Sequence, residues 1–235
     1  MKIGVFDSGI GGLTILQELL NVLPNEDYLY YQDSLNNPYG DKDDDTLRVI
    51  VSKIVDYLKG EGCKVIVVAC NTATTRCISY LRDKYKDLIF IGTEPAVKVA
   101  CDKGYDNILV MATPATIASE RLSVLVANNK KEKEKIYLVG CSGLASAIEN
   151  NDVKRQEEII RDIYNKYALK DIKAIVLGCT HYPLIKDLIT KYFKDIPLID
   201  GSLGVSLECK RQILLHGMEI NKGTGKVIIY NSKNG

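Results

Sequence analysis

The sequence has no long apolar run, no excess of one charge and no closely spaced pair of cysteines. No apolar stretch approaches the ~20 residues of a membrane span. Lys and Arg number 31 against 30 Asp and Glu, which argues against a nucleic acid or a membrane surface held by bulk charge. The seven cysteines show no disulfide-scaffold spacing, and no secretion signal precedes the first strand-like run. We therefore expect free thiols in a cytoplasmic protein.

Short runs rich in β-branched residues alternate with amphipathic segments along the 235 residues. This alternation predicts an α/β fold, with parallel strands covered by helices on both faces. The predicted strands are Lys2–Phe6, Tyr28–Gln32, Val65–Ala69, Leu88–Gly92, Asn107–Met111, Lys135–Val139, Ala174–Gly178, Pro197–Ile199 and Lys226–Tyr230. Helical spacing is clearest in 46–59, 151–167, 184–193 and 204–215. Turn chemistry after Gly92 and Asp200 predicts two domains, 1–95 with 202–235 and 96–201.

Two stretches of the chain read alike, and each ends in a cysteine. Residues 64–72 align without gaps onto residues 173–181, which places Cys70 opposite Cys179. Each apolar run has the pattern of a buried parallel strand, and ligands bind beyond the carboxyl ends of such strands. We therefore expect one thiol at the ligand end of a central strand in each domain, and both thiols at one cleft. The other cysteines have no such partner and read as packing residues.

The glycine-rich segment Asp7–Thr14 follows the first strand and opens a helix. It is not a dinucleotide fingerprint, because Thr14 stands where the third glycine would fall. Open backbone N–H groups at a helix start can still seat a carboxylate or a phosphate. Asp7 then lies at the cleft end of the strand, although a purely structural N-cap role for Asp7 or Ser8 explains the pattern equally well. Tyr39, in Asn37–Gly40, either closes over a ligand or belongs to an ordinary surface turn.

His181 follows Cys179 by two residues, which raises the question of a metal. Structural zinc sites usually contain close cysteine pairs, and this sequence has none. We therefore expect the imidazole to manage the proton of the neighbouring thiol instead. No lysine stands beside a recognisable pyridoxal-binding motif, so we predict neither a metal nor a cofactor.

A pair of thiols on opposite faces of a carbon can invert its stereochemistry. One cysteine, as thiolate, removes a proton, and the other, as thiol, delivers a proton to the opposite face. The difficulty is the weak acidity of an amino-acid Cα–H, which electrostatic preorganisation around the substrate carboxylate must overcome.

The motifs resemble those of bacterial glutamate racemases, in the cofactor-independent aspartate/glutamate racemase superfamily. The resemblance spans almost the whole chain and rests on five segments in the family's order: 7–14, 38–40, 69–74, 92–96 and 178–183. It implies two pseudosymmetric flavodoxin-like domains whose parallel sheets face each other across a cleft, in a homodimer. The implied activity interconverts L- and D-glutamate and supplies D-glutamate for peptidoglycan.

The resemblance also implies roles for particular residues. Cys70 would act on the D-enantiomer with the help of Asp7, and Cys179 on the L-enantiomer with the help of His181. Glu149 matches an acidic residue of the family near the site. The implied substrate contacts are Asp7, Ser8, Pro38, Tyr39, Gly40, Asn71, Thr72, Thr113, Thr116, Thr180 and His181.

Three alternatives stay open at this point. Leu35–Asn37 replaces an arginine-containing stretch of many relatives, which leaves aspartate, or mixed specificity, as the alternative substrate. A non-catalytic amino-acid-binding protein would have no need of both thiols. A zinc or redox dithiol protein would hold metal, or would form a disulfide between Cys70 and Cys179.

Overall fold

The computed structural model describes residues 1–220 and 223–234, which form two compact units. The first contains Met1–Thr93 and the segment from Ser202 onward, and the second contains Glu94–Gly201. All strand pairs in both units are parallel. The predicted α/β fold is therefore confirmed. None of the helices in the described ranges has the length and apolar composition needed to cross a membrane.

The first unit is built on a five-stranded sheet in the order β4-β3-β1-β2-β9. Its strands are β1 (Lys2–Asp7), β2 (Asp27–Gln32), β3 (Val65–Val68), β4 (Ile89–Gly92) and β9 (Val227–Asn231). Its helices are α1 (Leu13–Val22), α2 (Asp44–Gly60), α3 (Asn71–Lys84) and α10 (Ser202–Leu215).

Alternation along the strands divides the first unit's core into two layers. Successive side chains of a strand point to opposite faces of the sheet. Ile3 and Val5 of β1 pack with α1 and α10, whereas Phe6 packs with α2 and α3. The central strands β1 and β3 are buried on both faces, which explains their nearly uninterrupted apolar sequences.

The second unit repeats this plan on a four-stranded sheet in the order β6-β5-β7-β8. Its strands are β5 (Asn107–Ala112), β6 (Lys135–Gly140), β7 (Ala174–Gly178) and β8 (Leu198–Asp200). Its helices are α4 (Val97–Asp102), α5 (Pro114–Ile117), α6 (Glu120–Asn129), α7 (Leu144–Glu149), α8 (Val153–Tyr167) and α9 (Lys186–Phe193). One face packs against α4 and α6, and the other against α7, α8 and α9.

All nine predicted strands are present, with ends that differ by one residue or less. The helices differ more, because side-chain caps set where they begin. Asp43 accepts a hydrogen bond from the Thr46 N–H, so α2 starts two residues before the predicted position. Asp152 caps α8 in the same way, after a left-handed Asn151 (φ 53°). Residues 182–185 form a 3-10 turn, so α9 starts at Lys186 rather than at position 184.

Candidate active site

Cys70 lies between the end of β3 and the start of α3. It is the N-cap residue of that 14-residue helix, and its side chain makes no capping hydrogen bond. The side chain is 6% exposed, and its Sγ donates to the Ser8 Oγ over 3.9 Å. Since the N-terminus of a helix attracts negative charge, the backbone around Cys70 favours a thiolate at this position.

Asp7 ends β1 next to the same thiol, because Phe6 pairs with Val68 in the sheet. Its carboxylate is fully buried, and the Oδ2 accepts a hydrogen bond from the Gly12 N–H at 2.8 Å. Gly12 permits this approach, since a Cβ there would lie 2.6 Å from both the Asp7 Cβ and the Tyr30 hydroxyl. Asp7 is not the N-cap residue of α1, which is Gly12, but its bond to the Gly12 N–H holds its carboxylate at the strand end.

The first residues of α3 belong to the same group of residues around Cys70, which we call the first half-site; the group around Cys179 is the second. Asn71 and Thr72 are both buried, and the Asn71 Nδ2 donates to the Thr93 carbonyl at 3.3 Å. This bond ties the helix start to the end of β4. Asp7, Ser8, Cys70, Asn71 and Thr72 are thus brought together at one end of the first unit's sheet.

The segment Pro38–Gly40 differs from an ordinary surface turn. The Tyr39 ring is 1% exposed, and its hydroxyl donates to the Asp33 Oδ2 at 2.8 Å. Burial, followed by the charge of Asp33, raises the pKa of Tyr39 well above its usual value. Gly40 is exposed, and a Cβ on it would meet no atom within 4 Å. The turn is therefore anchored by a buried ring and keeps an open glycine beside it.

Cys179 has a different environment in the second unit. It follows β7 directly and is 7% exposed. Its Sγ lies 3.9 Å from the His181 Nδ1, and the His181 Nε2 lies 2.7 Å from the Glu149 Oε2. Glu149 is the last residue of α7. A thiol, an imidazole and a carboxylate therefore form one chain in which the histidine is the middle member.

This chain fixes which ring nitrogen can take the thiol proton. Glu149 accepts a hydrogen bond only if the His181 Nε2 carries a proton, which leaves the Nδ1 lone pair facing the Cys179 sulfur. Proton transfer from sulfur to Nδ1 then gives a thiolate beside an imidazolium, and the carboxylate stabilises the imidazolium. The imidazole is 3% exposed, so water screens this arrangement only weakly.

The threonines of the second unit have two kinds of position. Thr113 follows β5, whose Ala112 pairs with Gly178, so Thr113 and Cys179 follow neighbouring strand ends. The Thr113 Oγ1 caps α5 by accepting from the Thr116 N–H at 3.2 Å, and it donates to the Thr116 Oγ1 at 3.0 Å. Thr116 is fully buried, and Thr180 is 5% exposed.

Five cysteines outside the two half-sites are buried packing residues, as predicted. Burial raises their thiol pKa values to about 11 for Cys63, Cys77 and Cys101, and to about 12 for Cys141 and Cys209. In the described part of the chain, no three His, Cys, Asp or Glu side chains converge in a way that could hold a metal ion.

Two residues near the half-sites were not predicted from the sequence. Asp33 follows β2 and accepts from both Asn36 and Tyr39, and its position after a strand was an available signal. Tyr182 is fully buried and belongs to the same apolar cluster as Cys141 and Cys179. Nothing in the sequence pattern distinguishes Tyr182 from a core aromatic residue.

The comparisons with known proteins agree in identifying racemases as the proteins similar to this chain. The model of the Asp/Glu/hydantoin racemase family matches residues 26–203. A glutamate racemase of Clostridium novyi is 43% identical over 99% of this chain and 91% of that protein. The crystal structure of the Francisella tularensis glutamate racemase in complex with D-glutamate has a TM-score of 0.82, 32% identity and coverage of 98% and 88%. The Escherichia coli glutamate racemase, in complex with L-glutamate and the activator UDP-MurNAc-ala, has a TM-score of 0.84, 26% identity and coverage of 98% and 88%.

Proposed function

The chain belongs to the Asp/Glu/hydantoin racemase family, and on that premise we propose that it interconverts L- and D-glutamate by proton transfer at Cα. The activity is that of an isomerase. The D-glutamate that it forms is a building block of peptidoglycan, which is the role that the family resemblance implies.

The observation that carries this proposal is the chain from Cys179 through His181 to Glu149. In this chain the imidazole of His181 can accept the proton of the Cys179 thiol, and the carboxylate of Glu149 can stabilise the charged imidazole. Packing of the core alone would not require this arrangement. Cys70 stands at the matching place after β3, beside Ser8 and next to the strand that ends in Asp7. Each sheet thus has a nearly buried thiol at the carboxyl end of a central strand.

The proposed reaction uses the two thiols in opposite protonation states. In one direction the Cys70 thiolate takes the Cα proton of D-glutamate, and the Cys179 thiol gives its proton to the opposite face of the same carbon. One C–H bond breaks and another forms, so L-glutamate leaves with Cys70 as thiol and Cys179 as thiolate. The reverse reaction restores the first state, and no electron transfer is involved.

The two thiols have different means of stabilising a thiolate. Cys70 caps a 14-residue helix, whose N-terminal N–H groups favour a negative charge. Cys179 precedes a 3-10 turn instead and has His181 and Glu149. Asp7 assists Cys70 in this proposal, and Glu149 acts on Cys179 only through His181.

Glutamate is the proposed substrate because the relatives are glutamate racemases, two of them with L- or D-glutamate bound. Asp7, Ser8, Asn71 and Thr72, together with Pro38–Gly40, would contact it from the first unit. Thr113, Thr116, Thr180 and His181 would do so from the second. The supporting observation is their position at or beside the carboxyl ends of the strands, where α/β sheets bind ligands.

The test is Cα exchange in D₂O with L-glutamate, D-glutamate and L-aspartate in separate reactions. Deuterium incorporation is followed by NMR, and stereochemistry by circular dichroism. We expect racemisation of glutamate, and its loss in Cys70→Ala and in Cys179→Ala. Cys63→Ala and Cys209→Ala serve as matched controls and should retain activity, since both thiols lie in the cores. Racemisation by either half-site variant would refute the two-thiol mechanism, and faster exchange of aspartate would refute the substrate assignment.

We also propose that the protein is a homodimer of the cytoplasm. The family resemblance supports the dimer, and seven free cysteines support a reducing compartment. Light scattering coupled to size-exclusion chromatography measures the oligomeric state directly, and a monomer at micromolar concentration would contradict the dimer.

A further inference from the structure

Arg76 joins α3 to the segment that contains Tyr39 and Gly40. Its Nη1 donates to the Tyr39 carbonyl at 3.3 Å, and its Nη2 donates to the Lys42 carbonyl at 2.7 Å. Its Nε donates to the Asp44 Oδ1 at 2.6 Å, at the first residue of α2. The side chain is 15% exposed, so these bonds lie largely out of water. One guanidinium therefore binds both ends of the 3-10 turn Tyr39–Asp41 and the start of the following helix.

This turn has few other attachments. The Tyr39 hydroxyl bond to Asp33 holds its inner side, and no strand pairing includes residues 38–42. A Cβ on Gly40 would meet no atom within 4 Å, so packing does not fix this residue. The carbonyl bonds to Arg76 on either side of Gly40, together with the buried Tyr39 ring, therefore hold its backbone in place.

Arg76 also connects this turn to Cys70. It lies in the second turn of α3, the helix that Cys70 caps, and α3 is held in turn by the Asn71 bond to Thr93. The guanidinium is planar, and its donors are fixed relative to one another. Its bonds consequently set the position of the turn against the helix that begins beside the thiol.

We propose that Arg76 is a positioning residue, which holds the Pro38–Lys42 segment in place for substrate binding. The inference rests on the proposed function, in which Tyr39 and Gly40 contact glutamate. Arg76 does not touch the reacting atoms, so its loss weakens substrate binding and leaves the proton transfer itself largely intact. Lysine cannot replace it, because one ammonium group cannot hold two carbonyls and a carboxylate in this planar arrangement.

The experiment compares Arg76→Gln and Arg76→Lys with the intact enzyme in steady-state racemisation of glutamate. We expect KM to rise about tenfold in both variants while kcat stays within about threefold of the original value. Hydrogen exchange of residues 38–42, measured by mass spectrometry without substrate, should be faster in both variants. Arg48→Gln is the matched control: Arg48 lies on α2, its side chain is 41% exposed, and it pairs with Asp45 at 3.3 Å. This control should change neither quantity.

Three results would overturn the proposal. They are an unchanged KM in a folded Arg76→Lys protein, a fall in kcat alone, and unchanged exchange of residues 38–42. If Arg76→Gln does not fold, Arg76→Lys provides the same measurements, because it keeps the positive charge. Failure of the proposed function is distinguishable, since the intact protein would then not racemise glutamate, whereas the exchange measurement needs no activity.

Discussion

Replacing Glu149 by glutamine tests whether the thiol–imidazole–carboxylate chain operates as a unit. Glutamine keeps the shape of the side chain and a hydrogen-bond acceptor opposite the His181 Nε2. It removes the negative charge of the Glu149 carboxylate, whose Oε2 lies 2.7 Å from that nitrogen. A hydrogen bond that involves charged groups contributes about 1.5–3 kcal/mol, against about 0.5–1.5 kcal/mol for a neutral one. The imidazolium should therefore lose about 1–1.5 kcal/mol of stabilisation, or roughly a factor of ten in its population.

This loss should appear in the step that uses the Cys179 thiolate. The equilibrium constant between the enantiomers is one, so kcat/KM must fall by the same factor, about tenfold, in both directions. Which of the two reaction directions the substitution slows at the proton-transfer step must therefore be read from the primary isotope effects measured with Cα-deuterated substrates. We expect the isotope effect on kcat to increase for L-glutamate, whose proton Cys179 removes, and to stay unchanged for D-glutamate.

A double-mutant cycle supplies the decisive comparison. Because Glu149 acts only through His181, adding Glu149→Gln to His181→Asn should cause no further loss. A further tenfold loss in the double variant would refute the relay and would assign Glu149 a role of its own. Glu157→Gln is the matched control, since Glu157 lies on the surface of the same unit and pairs with Lys191. It should leave activity and isotope effects unchanged.

Three further predictions concern the thiols, the cofactor requirement and Asp7. Brief alkylation at pH 8 should modify Cys70 and Cys179 first. The five packing thiols have pKa values raised to about 11–12, so they stay protonated at this pH. Peptide mapping that finds a packing thiol modified first would contradict this prediction. Activity should survive exhaustive dialysis against a chelator without added pyridoxal phosphate, and a loss that zinc restores would favour the metal alternative. Asp7→Asn should increase the isotope effect for D-glutamate more than for L-glutamate, and equal effects in both directions would refute its assignment to Cys70.

The strands were predictable because burial on both faces of a parallel sheet leaves a signature in the sequence. Val65–Val68 and Ala174–Gly178 are wholly buried and contain no polar side chain; β-branched residues make up all of the first strand and two of the five residues of the second. The helix that follows Cys70 was not predicted. Its first turn, Asn71–Thr74, is polar and contains two β-branched threonines, a composition with low helix propensity. Burial of these residues and their bonds to neighbouring strand ends override that preference.

The two half-sites were likewise only partly predictable from the sequence. The gapless repeat located both cysteines after central strands, and simple spacing placed His181 beside Cys179. Glu149 lies 32 residues from His181 in sequence, so only the family resemblance pointed to it, and no periodicity could. The burial of Tyr39 was hidden for another reason, since its partner Asp33 is only six residues away in the same connection after β2, and turn composition does not show which way the ring points. Contacts between strand ends depend on the order of strands in the sheet, which a local pattern does not contain.

The build of the first unit has a consequence for folding on the ribosome. Its β2 is completed by β9, and α1 shares a core layer with Val205 and Ile213 of α10. The second unit, in contrast, is one continuous stretch of sequence that is synthesised between these two segments. β4 ends at Gly92, and the next strand of this sheet, β9, begins only at Val227. Because ribosomes add ~5–20 residues per second, the edge of β2 stays without its partner strand for on the order of ten seconds during synthesis. The contiguous unit can fold during that interval, while the apolar face of α1 stays uncovered. A translational pause after Gly201 would therefore prolong the period in which the first unit is prone to aggregate.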